Sequence, residues 1–259
     1  VDLSRSKIVL TGGGGFIGSH VVEELSKISV GELVVYDNFT RGTKDNLSKV
    51  SNNPNVTLVD GDITDVESLN KNLADADYVI HLAALWLLHC YEYPREAFEV
   101  NIKGTFNVLE ACVNNDVKRL IYSSSASVYG DASFTPMEEN HPFNNRTFYG
   151  ATKIAGEQMC RSFYERYGLD YVGLRYMNVY GPRQDYKGAY TAVMMKMLDM
   201  IDQGKPLPVY GDGSQTYDFI YVGDIAKANI HALTSDATDS FYNVGTGIGT
   251  TIKQMAELL

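Results

Sequence analysis

The chain has 259 residues, 44% of them hydrophobic, which is enough for one large domain or two closely joined lobes around a substantial core. It carries 22 basic and 32 acidic residues, a net charge of −10. That balance argues against nucleic acid as a partner, because neutralising a phosphate backbone takes a basic face. It leaves an anionic small ligand open, since one local cation or a helix N-terminus can hold such a group.

Cys90, Cys112 and Cys160 are odd in number and show no C-x-x-C spacing. Neither a disulfide framework nor a zinc site is expected, and a reducing, cytoplasmic setting is. His20, His81, His89, His141 and His231 are scattered, none spaced as a metal pair, and read as structural. No apolar run approaches bilayer-spanning length, and no signal-peptide pattern opens the sequence.

In chain order, residues 7–11 are a short β-branched run that reads as a buried parallel strand. Glycines follow at once, and a helical pattern occupies 17–28. Gly12, Gly15 and Gly18 carry the T-G-x-x-G-x-x-G spacing, a variant of the dinucleotide fingerprint, with Phe16 and Ile17 opening the helix. Gly12 permits the turn out of the strand, Gly15 lets the backbone approach a pyrophosphate, and Gly18 lets the helix pack close to the sheet.

Further strands are expected at 32–37, 56–62, 78–83, 119–125 and 171–176, with helices at 66–73, 97–114 and 149–167. This βαβ alternation predicts an α/β fold with a doubly wound parallel sheet. Past Tyr176 the rhythm changes to loop-rich segments, with helices at 189–203 and 224–233. A dinucleotide domain over 1–176, with segments around 215–235 packing back on it, and a smaller substrate lobe over 177–259 are therefore expected. The chain opens on Val1 rather than Met and closes inside a helical pattern at 251–259, so trimming at the start and a missing tail are expected.

Asp37 ends the second strand, 25 residues after Gly12. A carboxylate there is placed to accept both ribose hydroxyls of an adenosine and to repel a 2′-phosphate, which favours NAD over NADP. A strand-ending turn, Asp37-Asn38, is the competing reading. Asp62-Ile63 ends the third strand, where a carboxylate could meet the adenine amino group or cap the next helix. His81-Leu82-Ala83-Ala84 ends the fourth, with small residues that let backbone lie against a cofactor.

Residues 119–125 run into the serines Ser123, Ser124 and Ser125, and Tyr149-Gly150-Ala151-Thr152-Lys153 opens a later helix. Residues i and i+4 share a helix face, so Tyr149 and Lys153 point the same way. A phenol ionises near pH 10; a neighbouring ammonium and a positively charged nicotinamide would lower that value and make Tyr149 a base.

These motifs, in this order, resemble the extended short-chain dehydrogenase/reductase superfamily, and within it the NAD-dependent sugar-nucleotide epimerases typified by UDP-glucose 4-epimerase. The likeness runs from T-G-G-G-G-F-I-G at Thr11 through D-N at Asp37, H-L-A-A at His81, N-I-K-G-T at Asn101 and S-S-S-A-S-V-Y-G at Ser123. It continues with Y-G-A-T-K at Tyr149, L-R-Y-M-N-V-Y-G-P at Leu174, G-D-G-S-Q at Gly211 and N-V-G-T-G at Asn243.

The resemblance implies a Rossmann fold, bound NAD and a transient oxidation, commonly at C4 of the sugar. Tyr149 would take the hydroxyl proton, hydride would pass to NAD, and the 4-keto sugar would turn before hydride returned to its other face. Lys153 would tune Tyr149 and hold the nicotinamide ribose, and Ser125 would bond the reacting oxygen beside Ser124. Asn101 would be a structural or cofactor-proximal residue, Met177 would lie by the nicotinamide, and Asn178 by the substrate diphosphate. A homodimer is implied through the helices at 97–114 and 149–167. Apolar residues beyond one stripe (Phe106, Val108, Leu109; Met159, Phe163, Tyr164) are consistent with it.

Four local features refine the expectation. Dehydratases of this superfamily carry Asp-Glu just after the serines, and decarboxylases a nearby Glu; here Ala126-Ser127 stands there, which favours epimerisation. Where many relatives place an Arg on the nucleotide diphosphate, this chain has Tyr217, so either another cation, Arg183 or Lys187, compensates or the substrate is not an ordinary nucleotide sugar. The segment 85–90, holding the only Trp, reads equally as core or as an apolar wall of the substrate pocket. Relatives also normally continue past the equivalent of Leu259. Two other readings are a one-way nucleotide-sugar reductase or dehydrogenase, which would turn over NAD(H), and a silent NAD-binding regulator, against which the presence of Ser125, Tyr149 and Lys153 counts.

Overall fold

A computed structural model describes residues 2–184, 193–209 and 211–259. Strand β1 (Lys7–Thr11) leads through the glycine turn into α1 (Phe16–Ser26), β2 (Glu32–Asp37), β3 (Val56–Asp60), α2 (Val66–Leu73) and β4 (Tyr78–His81). Short helices α3 (Leu87–Glu92) and α4 (Pro94–Ala97) follow, then a wide π-helical segment at Phe98–Gly104 that runs into α5 (Thr105–Asn114). The single helix expected over 97–114 is therefore widened at Asn101. Next come β5 (Arg119–Ser125), α6 (Phe148–Tyr167), β6 (Tyr171–Tyr176) and β7 (Asn178–Tyr180). The chain finishes with α7 (Val193–Asp202), β8 (Thr216–Tyr221), α8 (Val222–Thr234), β9 (Ser240–Val244), β10 (Gly249–Thr251) and α9 (Ile252–Leu258).

Seven strands form one parallel sheet in the order β3-β2-β1-β4-β5-β6-β9. The chain starts in the middle, winds to one edge and then to the other, so the Rossmann switch point lies between β1 and β4. Alternate residues of each strand feed opposite faces. Ile8 and Leu10 pack with Val22 and Leu25 of α1 and Ile225 of α8, whereas Val9 packs with Leu69 of α2, Leu109 of α5 and Phe163 of α6. Helices cover both faces, which is why these strands read as continuous apolar runs.

That packing corrects one expectation. Val108 and Leu109 are fully buried and Phe163 nearly so, because they face the sheet; Phe106 alone of those named on α5 remains exposed.

The segment 177–259 is shared between two layers. α8 packs on α1, and β9 closes the main sheet beside β6. β7, β8 and β10 form a separate three-stranded sheet, where β8 runs parallel to β7 and antiparallel to β10. Thr251 caps α9 in a reciprocal capping box with Gln254. Among the described residues no helix is long and apolar enough to cross a membrane.

Candidate active site

The C-terminal ends of the central strands open into a cavity of about 820 Å³. One end is the turn after β1. Gly12 has φ +76°, and a Cβ there would sit 2.5 Å from the Ala83 nitrogen; a Cβ on Gly18 would sit 2.2 Å from the Gly12 carbonyl oxygen. These two positions therefore seat α1 directly on the turn. No side chain caps α1, and Gly15, Phe16, Ile17 and Gly18 at its start line the cavity. The first N–H groups of a helix have no intrahelical partner, so the cavity receives uncapped donors and the positive end of a helix dipole.

Asp37 is buried at the end of β2, its Oδ2 accepting from the Gly14 N–H (2.8 Å) and its Oδ1 from the Phe39 N–H (2.8 Å). Burial pushes its pKa up, and the two N–H bonds oppose that shift. The carboxylate is thus both a turn former and a cavity wall. Asn38 donates to Asp62 Oδ2 (2.8 Å), and Asp62 Oδ1 accepts from the Thr64 N–H (2.8 Å). Burial of Asp62 is outweighed by its bonds to Thr64 and Asn38, and its pKa is lowered. The alternative capping role is excluded, because Asp65 caps α2. Ile63 and Leu82, Ala83 and Ala84 line the same cavity.

His81 is locked between Thr11 Oγ1 (2.7 Å) and Thr105 Oγ1 (3.0 Å), and burial, helped by the Lys153 charge, lowers its pKa to about 3. It is a neutral structural histidine. Of the two roles expected for Asn101, structural or cofactor-proximal, its position behind the wall fits the structural one. Its side chain is buried and bonds both the N–H (2.7 Å) and the carbonyl (3.0 Å) of Leu85, so it fixes the loop after β4. Of the apolar segment 85–90, Leu85, Trp86 and His89 line the cavity, whereas Cys90 is buried.

At the other end, β5 and α6 bring the serines, Tyr149 and Lys153 together. Lys153 is buried, and its Nζ donates to the Ser123 carbonyl (2.7 Å) and sits 5.8 Å from the Tyr149 ring centre. Burial lowers its pKa to about 8. Burial raises that of Tyr149 to about 12, opposed first by a hydrogen bond to Ser125 and then by the charge of Arg41. The expected depression of Tyr149 by Lys153 is therefore not present in this state, since the ammonium is turned to the Ser123 carbonyl.

Ser125 also accepts from the Ser127 N–H (3.2 Å). Ser124, expected at the substrate, donates to Glu157 Oε1 (2.6 Å). Glu157 is fully buried and forked onto Arg175, with Nε to Oε1 at 2.8 Å and Nη2 to Oε2 at 2.7 Å, and Arg175 also donates to the Tyr129 hydroxyl (2.9 Å). Sequence reading missed this network. Its only signal was a Glu four residues after Lys153, with nothing to indicate the Arg on β6.

The remaining expected residues fall elsewhere. Met177, Asn178 and Tyr217 do not line the cavity. Met177 packs against the main core, the exposed Asn178 donates to the Asp218 carbonyl (3.3 Å), and Tyr217 is 41% exposed on β8. Arg183 does reach the cavity wall, but its guanidinium bonds Ser19 Oγ (3.1 Å) and Glu23 on α1, which commits its charge. Lys187 lies outside the described residues.

An uncapped glycine turn, an oriented carboxylate at the end of β2 and a Tyr-Lys pair facing them fit a dinucleotide. The pattern of the NAD-dependent epimerase/dehydratase family matches residues 8–245. The chain belongs to this family. It is an enzyme fold that works with NAD. It is 38% identical over 255 residues to a putative UDP-glucose 4-epimerase from Methanocaldococcus jannaschii, covering 97% of this chain and 81% of that one.

A UDP-N-acetylglucosamine 4-epimerase from Methanobrevibacter ruminantium, solved with UDP-N-acetylmuramic acid, superposes with a TM-score of 0.93 at 41% identity, over 98% of this chain and 81% of that one. A dTDP-glucose 4,6-dehydratase from Streptomyces venezuelae with NAD bound gives 0.90 at 28% identity, over 97% and 79%. The family thus spans more than one reaction on a shared frame.

Proposed function

We propose that the enzyme epimerises a nucleotide sugar, at C4 of a UDP-hexose. The observation that carries this reading is the meeting of Tyr149, hydrogen-bonded to Ser125 just behind the wall, and Lys153 at one end of a cavity whose other end is the uncapped turn of Gly12, Gly15 and Gly18. The glycine turn, with Asp37 and Asn38 for the ribose and Asp62 and Ile63 for the adenine, would hold NAD, which would supply a reversible hydride acceptor.

The chain's own groups handle position and protons. Tyr149, as its phenolate, would take the sugar hydroxyl proton as hydride leaves the sugar carbon, and its hydroxyl would return that proton when hydride comes back. Ser125 bonds both that phenol and the reacting oxygen. Lys153, fixed on the Ser123 carbonyl, holds a positive charge along the same wall. Because burial keeps Tyr149 protonated in the cofactor-free protein, its base strength depends on positive charge added to the loaded site.

Ala126 and Ser127, which follow Ser125 in a short 3₁₀ turn, offer no carboxylate for eliminating water. That supports epimerisation over dehydration and decarboxylation. The names of the relatives support a UDP-sugar, with Asn178, Tyr217 and the small sheet on the substrate side. The exposed Phe106 on α5 and Tyr167 on α6, joined through Phe163, support a homodimer; sedimentation showing only monomer at micromolar concentration would remove that claim.

The test of the reaction is to incubate the protein with a panel of nucleotide sugars and identify products by NMR. Epimer formation without net NADH supports the proposal. Stoichiometric NADH would favour a dehydrogenase, and no turnover of any sugar would favour a regulator.

A further inference from the structure

Arg41 stands in the loop after β2 and Trp86 in the loop after β4, and both line the cavity. The Arg41 guanidinium carbon lies 3.9 Å from the Trp86 ring centre, a close cation–π stack. In the sheet, β1 lies between β2 and β4. A contact between the loops after β2 and β4 therefore spans the glycine turn that follows β1.

Both ends are tied down. The Arg41 loop leans on the turn itself: a Cβ on Gly42 would sit 2.6 Å from the Gly14 carbonyl carbon, and Gly14 O accepts from the Thr43 N–H (3.1 Å) and Asn46 Nδ2 (2.9 Å). The Trp86 loop is pinned through Leu85 by Asn101, and the Trp86 ring also packs on His89, 5.0 Å between centres.

We infer that Arg41, seated on Trp86, is a further cofactor-binding residue: it closes over the glycine turn, contacts the dinucleotide's diphosphate and retains the cofactor between turnovers. A guanidinium complements two phosphates by charge and paired N–H donors, and the indole face sets its position. This rests on the cavity being the dinucleotide site.

The test loads holoenzyme with radiolabelled NAD and follows its release into excess unlabelled NAD, for the wild type and for Arg41→Met, Arg41→Lys, Trp86→Leu and the Met/Leu double variant. Arg41 is exposed, so its substitution leaves the core untouched. Arg41→Met is expected to speed release by about 10- to 100-fold, the loss of one charge-assisted contact. Trp86→Leu is expected to speed it by about 3- to 10-fold. Arg41→Lys should recover part of the loss, and the double variant should release no faster than Arg41→Met, because the two residues act as one unit.

Wild-type retention with unchanged release in either single variant overturns the inference while leaving the dinucleotide site intact. Multiplicative effects in the double variant, or Arg41→Lys as fast as Arg41→Met, overturn it likewise. A wild type that retains no NAD overturns both. Trp86 is the only tryptophan, so its emission gives a second readout, expected to shift in cofactor-free Arg41→Met.

Discussion

The crevice over β1, β4 and β5 and the small sheet of β7, β8 and β10 are built in opposite ways. In the crevice, Cβ clashes seat α1, both oxygens of Asp37 are held by backbone N–H groups, and His81 and Asn101 lock the wall from behind. In the small sheet, Asn178 is exposed, Tyr217 and Tyr221 are 41% and 42% exposed, and Met197, Ile252 and Met255 form a small buried cluster beside Phe219. The first region is preorganised by the fold for its ligand. The second presents exposed side chains held by few contacts, Asn178 on the Asp218 carbonyl and Tyr217 on Phe219. The binding of NAD should therefore be set by single positions, and sugar recognition should be tolerant of change.

The largest effect should come in the crevice itself, at Tyr149. Tyr149→Phe is expected to cut turnover by about 10²–10⁴-fold with NAD still bound, checked by steady-state kinetics beside cofactor content. Retained activity would remove Tyr149 as the base.

Next is the rigidity of the crevice wall. The pKa of His81 is about 3 in the fold against an ordinary 6.5, so its contribution is complete above pH 6.5 and is lost as pH falls toward 3. By pH 4 this amounts to about 3 kcal/mol. Urea denaturation of the cofactor-free protein should show the loss, and His81→Asn should flatten it; equal pH slopes would contradict the buried neutral histidine.

Asp37→Ala should weaken NAD by about 10- to 100-fold and narrow the preference over NADP, read by titration with both cofactors. The smallest effect belongs to the small sheet. Tyr217→Arg should tighten UDP-sugar binding by about tenfold or less, and unchanged affinity would take the diphosphate away from β8.

The same contrast explains what the sequence disclosed. The glycine spacing, Asp37 and the Tyr149–Lys153 pair are local: each motif lies within one turn, strand end or helix face, and its geometry follows from backbone rules. The doubly wound order followed from strand–helix alternation. Ser124 facing Glu157, Asn101 facing Leu85, and Arg41 stacked on Trp86 are contacts between distant segments, and periodicity carries no trace of them. β9 was missed because its residues, 240–244, carry too short an apolar run to announce a seventh strand. Val108 and Leu109 were misread as a free face because a helix lying across a sheet buries a wider stripe than the one counted.

The central claim is that the glycine turn and the Ser125–Tyr149–Lys153 cluster form one site that moves hydrogen at C4 out and back. Incubating the enzyme with a UDP-hexose deuterated at C4 and following the products by NMR tests it most directly. The account predicts the C4 epimer with deuterium still on C4 and no net reduced cofactor. An epimer that has lost the label to solvent, or accumulation of reduced cofactor in step with product, would contradict it.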